Sequence, residues 1–170
     1  MEKKTETEPI KKALRFLFLS NLTYLGKGGT LSYLTSDAEN NILDNLDKTQ
    51  KKLYGCRFNN SDFRKVLKSL SFRGREADAL NTFIYCDPPY LGTGDNYSDS
   101  FTESDSLDLF NCLQETGCKF AMSEFNHPFI LEQAKQRNLN VITIGERKNL
   151  KNRRTEILVT NYKNNPTLFD

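Results

Sequence analysis

The chain has 170 residues, 37% of them apolar and 27% charged, with a net charge of +2 and one histidine. That is enough chain for one buried core, too apolar for an intrinsically disordered protein, and too nearly neutral for a nucleic-acid binder that works through its overall field. Any such contact has to come from local clusters. Cys56, Cys86, Cys112 and Cys118 form no C-x-x-C pair, so no metal is expected, and unpaired thiols fit a reduced, cytoplasmic protein. No apolar stretch reaches transmembrane length. The run Ala13 to Leu19 follows basic residues, but Arg15 interrupts it and no small-residue cleavage site follows, so no secretory signal is expected.

Residues 1–9, MEKKTETEP, read as a solvated tail. Pro9 suits the first turn of a helix running to about Leu25, with Leu14, Leu17, Phe18 and Leu22 on one face. Gly26-Lys27-Gly28-Gly29 follows a helix rather than joining a strand to one, so it is expected to be a loop and not a phosphate cradle. Ser36 with Glu39 has the spacing of a capping box, and Ile42, Leu43, Leu46 and Leu53 place a helix over about 37–54. Residues 55–58, GCRF, are expected to form a short strand. Asn60 or Ser61 is expected to cap a helix ending near Leu70, whose Arg64, Lys65 and Lys68, with Arg73 and Arg75, read as a solvated basic face. A polar connection covers 71–81.

From there strand and helix alternate. Strands are expected over about 82–87, 118–122, 139–145 and 155–161, with helices over about 103–116 and 128–137. Alternation of this kind makes parallel strands with crossover helices. The last two strands are joined by a loop too short for a crossover, so they should pair antiparallel. His127 precedes Pro128 at a helix start, where a cap or surface residue is expected rather than a ligand.

The segment Thr82 to Tyr90, TFIYCDPPY, carries the chemistry. An apolar run ends abruptly in an acid, two rigid prolines and an aromatic. The exocyclic amine of a nucleobase is a poor nucleophile because its lone pair is delocalised into the ring. Acceptors on its two N–H groups draw the nitrogen toward tetrahedral geometry. The Asp87 carboxylate is one such acceptor, and the carbonyl of Pro88 is a second, since proline keeps its C=O and loses its N–H. Pro88 and Pro89 fix φ and hold both acceptors in place beforehand. Tyr90 offers a π-face for a base turned out of its helix, worth about 1–3 kcal/mol. Each residue type is also ordinary at a strand exit, but the four together arise by chance in roughly one chain of this length in a thousand.

Asp87-Pro88-Pro89-Tyr90 resembles the catalytic motif of amino-group methyltransferases that use S-adenosylmethionine, and in particular of the Dam-like, adenine-specific DNA methyltransferases. Three other stretches agree in order and spacing: 13–26, ALRFLFLSNLTYLG, is similar to the aromatic-rich helix and Gly turn after the cofactor half; 58–67, FNNSDFRKVL, to the strand end and helix start that meet the cofactor; and 153–162, RRTEILVTNY, to the closing strand of the sheet. The resemblance covers about 10–163 and implies one domain there, with a second tail over 164–170. It implies a partial Rossmann-like α/β sheet, mostly parallel with an antiparallel last strand, and helices on both faces. It also implies methyl transfer by Asp87, Pro88, Pro89 and Tyr90, and cofactor contacts from Asp62, Phe63 and Asp87. The family's opening glycine turn, Phe-x-Gly-x-Gly, does not occur in this sequence. Weak or absent binding of S-adenosylmethionine by this chain alone is therefore expected. So is a partner, either a complementing methyltransferase polypeptide or a second copy of the chain, to cover the sheet edge left beside the active site, unless 55–58 moves in there.

The connection Glu146 to Arg154, ERKNLKNRR, places five basic residues in nine positions. Lys148, Lys151, Arg153 and Arg154 are thus candidate phosphate contacts. Tyr97, in the Gly-containing segment after DPPY, is a candidate to close over a turned-out base. Two other readings stand beside adenine methylation of DNA. One is an amino-methyltransferase acting on RNA or a protein amide. The other is an inactive remnant that binds DNA or a partner.

Overall fold

The computed structural model describes residues 7–23, 36–70, 76–92, 101–148 and 153–163. The chain divides into two compact units, Met1–Asn59 and Asn60–Asp170.

In the first unit, α1 (Pro9–Leu22) opens at Pro9, and the Glu8 carboxylate caps it by accepting from the backbone N–H groups of Ile10 and Lys11. The second helix, α2, covers Ser36–Lys52; the side chains of Ser36 and Glu39, where a capping box was expected, lie outside the described residues. The strand expected over 55–58 does not form. Gly55 has φ of 83°, Cys56 is exposed and Phe58 is 79% exposed. Without a partner strand nothing satisfies such a short segment's backbone.

The second unit is an α/β layer. Its elements are α3 (Phe63–Ser69), α4 (Glu76–Leu80), β1 (Phe83–Cys86), α5 (Glu103–Thr116), β2 (Lys119–Phe125), α6 (Pro128–Gln136), β3 (Asn140–Lys148) and β4 (Arg153–Thr160). The sheet order is β1-β2-β4-β3. Phe83 to Cys86 pair parallel with Lys119 to Met122. β4 runs antiparallel to both its neighbours, so the last strand inserts between β2 and β3 and opposes the other three. The expected mostly parallel sheet with a reversed last strand is the one that forms.

Alternation along the strands sends Phe120, Met122, Ile157 and Val159 to one face, where they join Leu67 of α3, Leu109, Phe110 and Leu113 of α5, and Ile130 and Ala134 of α6 in one buried cluster. The other face is closed at its centre too: Ala121, Ser123 and Thr160 are buried. Helix α5 has clear punctuation. Thr102 and Asp105 form a reciprocal capping box, and Gly117 ends the helix in the left-handed region at φ 69°. The Thr102 hydroxyl, and after it Arg64, hold the Asp105 carboxyl down at about 2.

Three local expectations are corrected. Asp62, rather than Asn60 or Ser61, caps α3, its carboxylate accepting from the Arg64 N–H, because an anion is favoured where free N–H groups and the helix dipole meet. Arg64 is no solvated cation: its guanidinium reaches Asp105 at 2.6 Å, Asp108 at 2.8 Å and Asp62 at 3.2 Å. The polar connection 71–81 contains α4, whose Ala79 is buried. His127 meets expectation as the N-cap of α6, its Nδ1 accepting from the Phe129 N–H. Among the described residues no helix is long and apolar enough to cross a membrane.

Phe120 is fully buried in the central part of the cluster. Phe120→Ala is expected to lower unfolding free energy by about 3–5 kcal/mol, measured by urea denaturation. A loss below about 1 kcal/mol would show that the cluster does not carry the second unit's stability.

Candidate active site

Sheet direction assembles the site. Because β1 and β2 are parallel and β4 is reversed, the carboxyl ends of β1 and β2 meet the amino end of β4. Asp87 to Tyr90, Ser123 to Phe125 and Arg154 to Glu156 therefore share one end of the sheet, the end at which open α/β sheets bind ligands. The β3–β4 register pairs Arg147 with Arg154 and Lys148 with Arg153, which puts the basic ribbon at that same end. Helix α5 starts there as well, and Arg64 ties the amino end of α3 to Asp105 and Asp108 in the first turns of α5. Asp62 and Phe63 are thereby brought to the end that carries Asp87. The Phe63 ring meets Phe101 at 6.2 Å and lies under the Arg64 guanidinium at 4.4 Å.

Asp87 itself is exposed, and Pro88, Pro89 and Tyr90 are half-buried. The Ser123 hydroxyl accepts from Tyr85 at 3.2 Å and lies 3.0 Å from Asp87 Oδ1 and 3.3 Å from the Cys86 carbonyl, so it donates to one of these at a time. The carboxylate is the stronger acceptor. The other Asp87 oxygen, Oδ2, has no partner among the described residues. Tyr90 is fixed from two sides: its hydroxyl donates to Glu156 at 2.8 Å, and its ring meets Phe125 at 4.7 Å in a T-shaped contact. Burial above all, then the Glu156 and Asp87 carboxylates, hold its phenol well above the ordinary value, so it remains a donor. Burial likewise pushes the Cys86 thiol, half-buried against the core, up to about 11, away from the thiolate form of a nucleophile.

Two further groups complete the arrangement: Glu124, which the sequence did not single out, and Arg154, which it offered as a candidate phosphate contact. Glu124 is fully buried; one of its oxygens accepts from the Leu91 N–H at 2.8 Å and the other from the Phe125 N–H. Arg154 donates to the Gly92 carbonyl at 3.1 Å and lies 5.2 Å from the Phe125 ring, so this member of the basic cluster is committed to the segment after DPPY. The apolar run predicts a strand that stops at Met122 and leaves out Ser123, Glu124 and Phe125, whereas β2 continues to Phe125. Ser-Glu-Phe breaks the strand's apolar alternation, since Glu124 falls on the face of Phe120 and Met122, so the sequence carries no signal for it. Tyr97 and Lys151 lie outside the described residues.

For S-adenosylmethionine, the described residues fit one part only. Asp62, Phe63 and Asp87 stand at the carboxyl end with the groups an adenosine's amine and hydroxyls would pair with, although both Asp62 oxygens already accept from Arg64. No Gly-rich strand-to-helix turn occurs among the described residues to receive the methionine part.

Burial also makes Glu124 a reporter of the site, pushing its carboxyl from 4.5 up to about 7. A raised folded-state value means that the folded chain keeps a proton that the unfolded chain has released between those two pH values. The resulting stabilisation is full below the unfolded value and is lost as pH rises through about 7. Unfolding free energy is expected to fall from pH 5 to pH 8 with a slope of up to about 1.4 kcal/mol per pH unit, and Glu124→Gln is expected to flatten that window. Equal slopes in the two proteins would show that Glu124 is not buried as a lone acid.

A model of D12 class N6 adenine-specific DNA methyltransferases matches residues 2–163. The modification methylase StsI of Streptococcus sanguinis is 27% identical over 163 residues, an alignment covering 80% of this chain and 23% of that protein. The chain thus spans about a quarter of the length of this curated relative. With the family's match running through DPPY, the strand pairs around it and the closing β4, the chain belongs to the D12 class N6 adenine-specific DNA methyltransferase family.

Proposed function

We propose that the second unit is the base-receiving part of an adenine-specific DNA methyltransferase, acting on the exocyclic amine of an adenine turned out of the duplex. The observation that carries this reading is the position of Asp87: exposed at the carboxyl end of β1, held by Ser123 through one oxygen, with its other oxygen directed to no described protein group. A carboxylate so held accepts a hydrogen bond from the amine as its nitrogen becomes nucleophilic, which favours the transition state over the ground state. The Pro88 carbonyl is the second acceptor. Tyr90, anchored by Glu156 and Phe125, is the surface against which the base rests.

When bound, S-adenosylmethionine supplies an electrophilic methyl group on a sulfonium. Asp62, Phe63 and Asp87 are the residues of this chain that would face it. Without a glycine turn for its methionine part, the affinity of this chain alone is weak, and methyl transfer requires a complementing polypeptide that provides the rest of the pocket, while a second copy, which lacks the turn too, would only cover the sheet edge. The position of β1, which among the described residues pairs with β2 alone, supports that requirement, since an open strand edge beside a site calls for cover. Lys148, Arg153 and, outside the described residues, Lys151 hold the duplex through its phosphates. The backbone register that pairs Lys148 with Arg153 brings basic positions together at this end of the sheet, where a phosphate anion would be favoured. Tyr97 is proposed to close over the extruded base.

Two outcomes test this. In a radiolabelled methyl-transfer assay, alone or with a complementing half, Asp87→Ala is expected to lower the rate by about 100-fold or more while duplex affinity changes less than about threefold, because phosphates hold the duplex. Retention of more than about a tenth of the rate would remove the assigned acceptor. Neutralising Lys148, Lys151 and Arg153 together should weaken binding to every duplex sequence alike and reduce the slope of log affinity against log salt by about 0.9 for each lost contact. An unchanged slope would show that the ribbon touches no phosphate.

A further inference from the structure

Glu124 has no place in the chemistry just described, yet it is among the largest fully buried side chains of the chain. An isolated carboxylate in a core is costly unless its oxygens are fully used. Here both are used on backbone donors. Oε1 accepts from Leu91, the residue directly after Tyr90, and Oε2 accepts from Phe125, the ring against which Tyr90 stands. Leu91 is itself buried in the cluster. One side chain therefore joins the exit of the DPPY segment to the end of β2.

We propose that Glu124 is the positioning residue of the base pocket, a strap that sets where Tyr90 stands relative to Asp87. This inference rests on the base-receiving function proposed above and adds a residue to it. The chemistry of the site selects a carboxylate. Two N–H groups converge on it, and only an acid offers two acceptor oxygens there. Glutamine would satisfy one N–H with its carbonyl and set its own NH₂ against the other. The rest of the segment is held by contacts that converge on the same place. Ser123 next to Glu124 meets Asp87, Phe125 on its other side meets Tyr90, and Arg154 joins Phe125 to Gly92. Glu124 thus sits between the two neighbours that touch the acid and the aromatic, and its strap fixes the backbone that follows them.

The test uses the full chain and its Glu124→Gln variant at pH 8. Amide hydrogen exchange at Leu91 is expected to speed up about tenfold or more on losing a charge-assisted hydrogen bond, while the amides of Phe120 and Val159 stay within about twofold. A duplex with 2-aminopurine at an unpaired adenine position provides the second readout. Tyr90→Ala defines the emission change on binding when the base support is absent. Glu124→Gln is expected to bring the emission change to within about a third of that reference, with duplex affinity altered less than about threefold. Unchanged exchange at Leu91, or core amides accelerating as much as Leu91, overturns the strap. Faster exchange with wild-type emission overturns the positioning role. If the wild-type chain and Tyr90→Ala give the same emission, the base-receiving function fails and with it the role in positioning a base. The exchange arm then still decides whether the strap exists.

Discussion

Two parallel strands that end side by side present their last residues to each other, and in this chain the junction is filled by a buried acid. Glu124 takes the N–H of Leu91 from the segment after β1 and the N–H of Phe125 from its own strand. The cost of removing a carboxylate from water is offset in part by charge-assisted bonds to two backbone donors that the end of the sheet would otherwise leave unsatisfied. Around that junction every neighbour has a defined partner: Ser123 with Asp87, Phe125 with Tyr90, Glu156 with Tyr90, Arg154 with Gly92. The exposed acid at the end of an edge strand is thus held from behind by a central strand and by the reversed strand next to it.

The reversed strand has a second consequence. Insertion of β4 between β2 and β3 returns the chain to the carboxyl end at Lys148 and starts it inward again at Arg153. Basic residues reach the same end of the sheet as DPPY because of this topology. The ribbon is irregular, with a register shift between Thr143 and Gly145 that leaves Ile144 exposed. Such bulges increase local twist and re-aim a strand end. Arg154 shows that the charge cluster is not uniform in role: its guanidinium is engaged with Gly92 and Phe125, whereas Arg153 is exposed.

How far the sequence discloses this arrangement depends on which forces act locally. Helix α5 was legible to the residue, because Thr102, Asp105 and Gly117 state its ends in side-chain and backbone chemistry that does not depend on the rest of the chain. DPPY at the exit of β1 was legible for the same reason. The end of β2 was not, since polar Ser123 and Glu124 look like a strand exit until the partners that bury them are known. Arg64 looked like surface charge because Asp105 and Asp108 lie more than forty positions further on, a pairing only the packing of α3 on α5 creates. The strand expected over 55–58 failed in the opposite way. Its residues suit a strand, but strands are stabilised by partners rather than by propensity, and no described strand pairs with it.

The central claim is that the end of β1 receives an extruded adenine. Its most direct test is nuclear magnetic resonance titration of the isotope-labelled chain with short duplexes holding adenine or cytosine opposite an abasic position. The account predicts that the adenine duplex shifts the amides of Asp87, Tyr90, Leu91 and Phe125, while the cytosine duplex moves only those of the basic ribbon around Lys148 and Arg153. Equal shifts with both duplexes, or shifts confined to the ribbon in both, would contradict it.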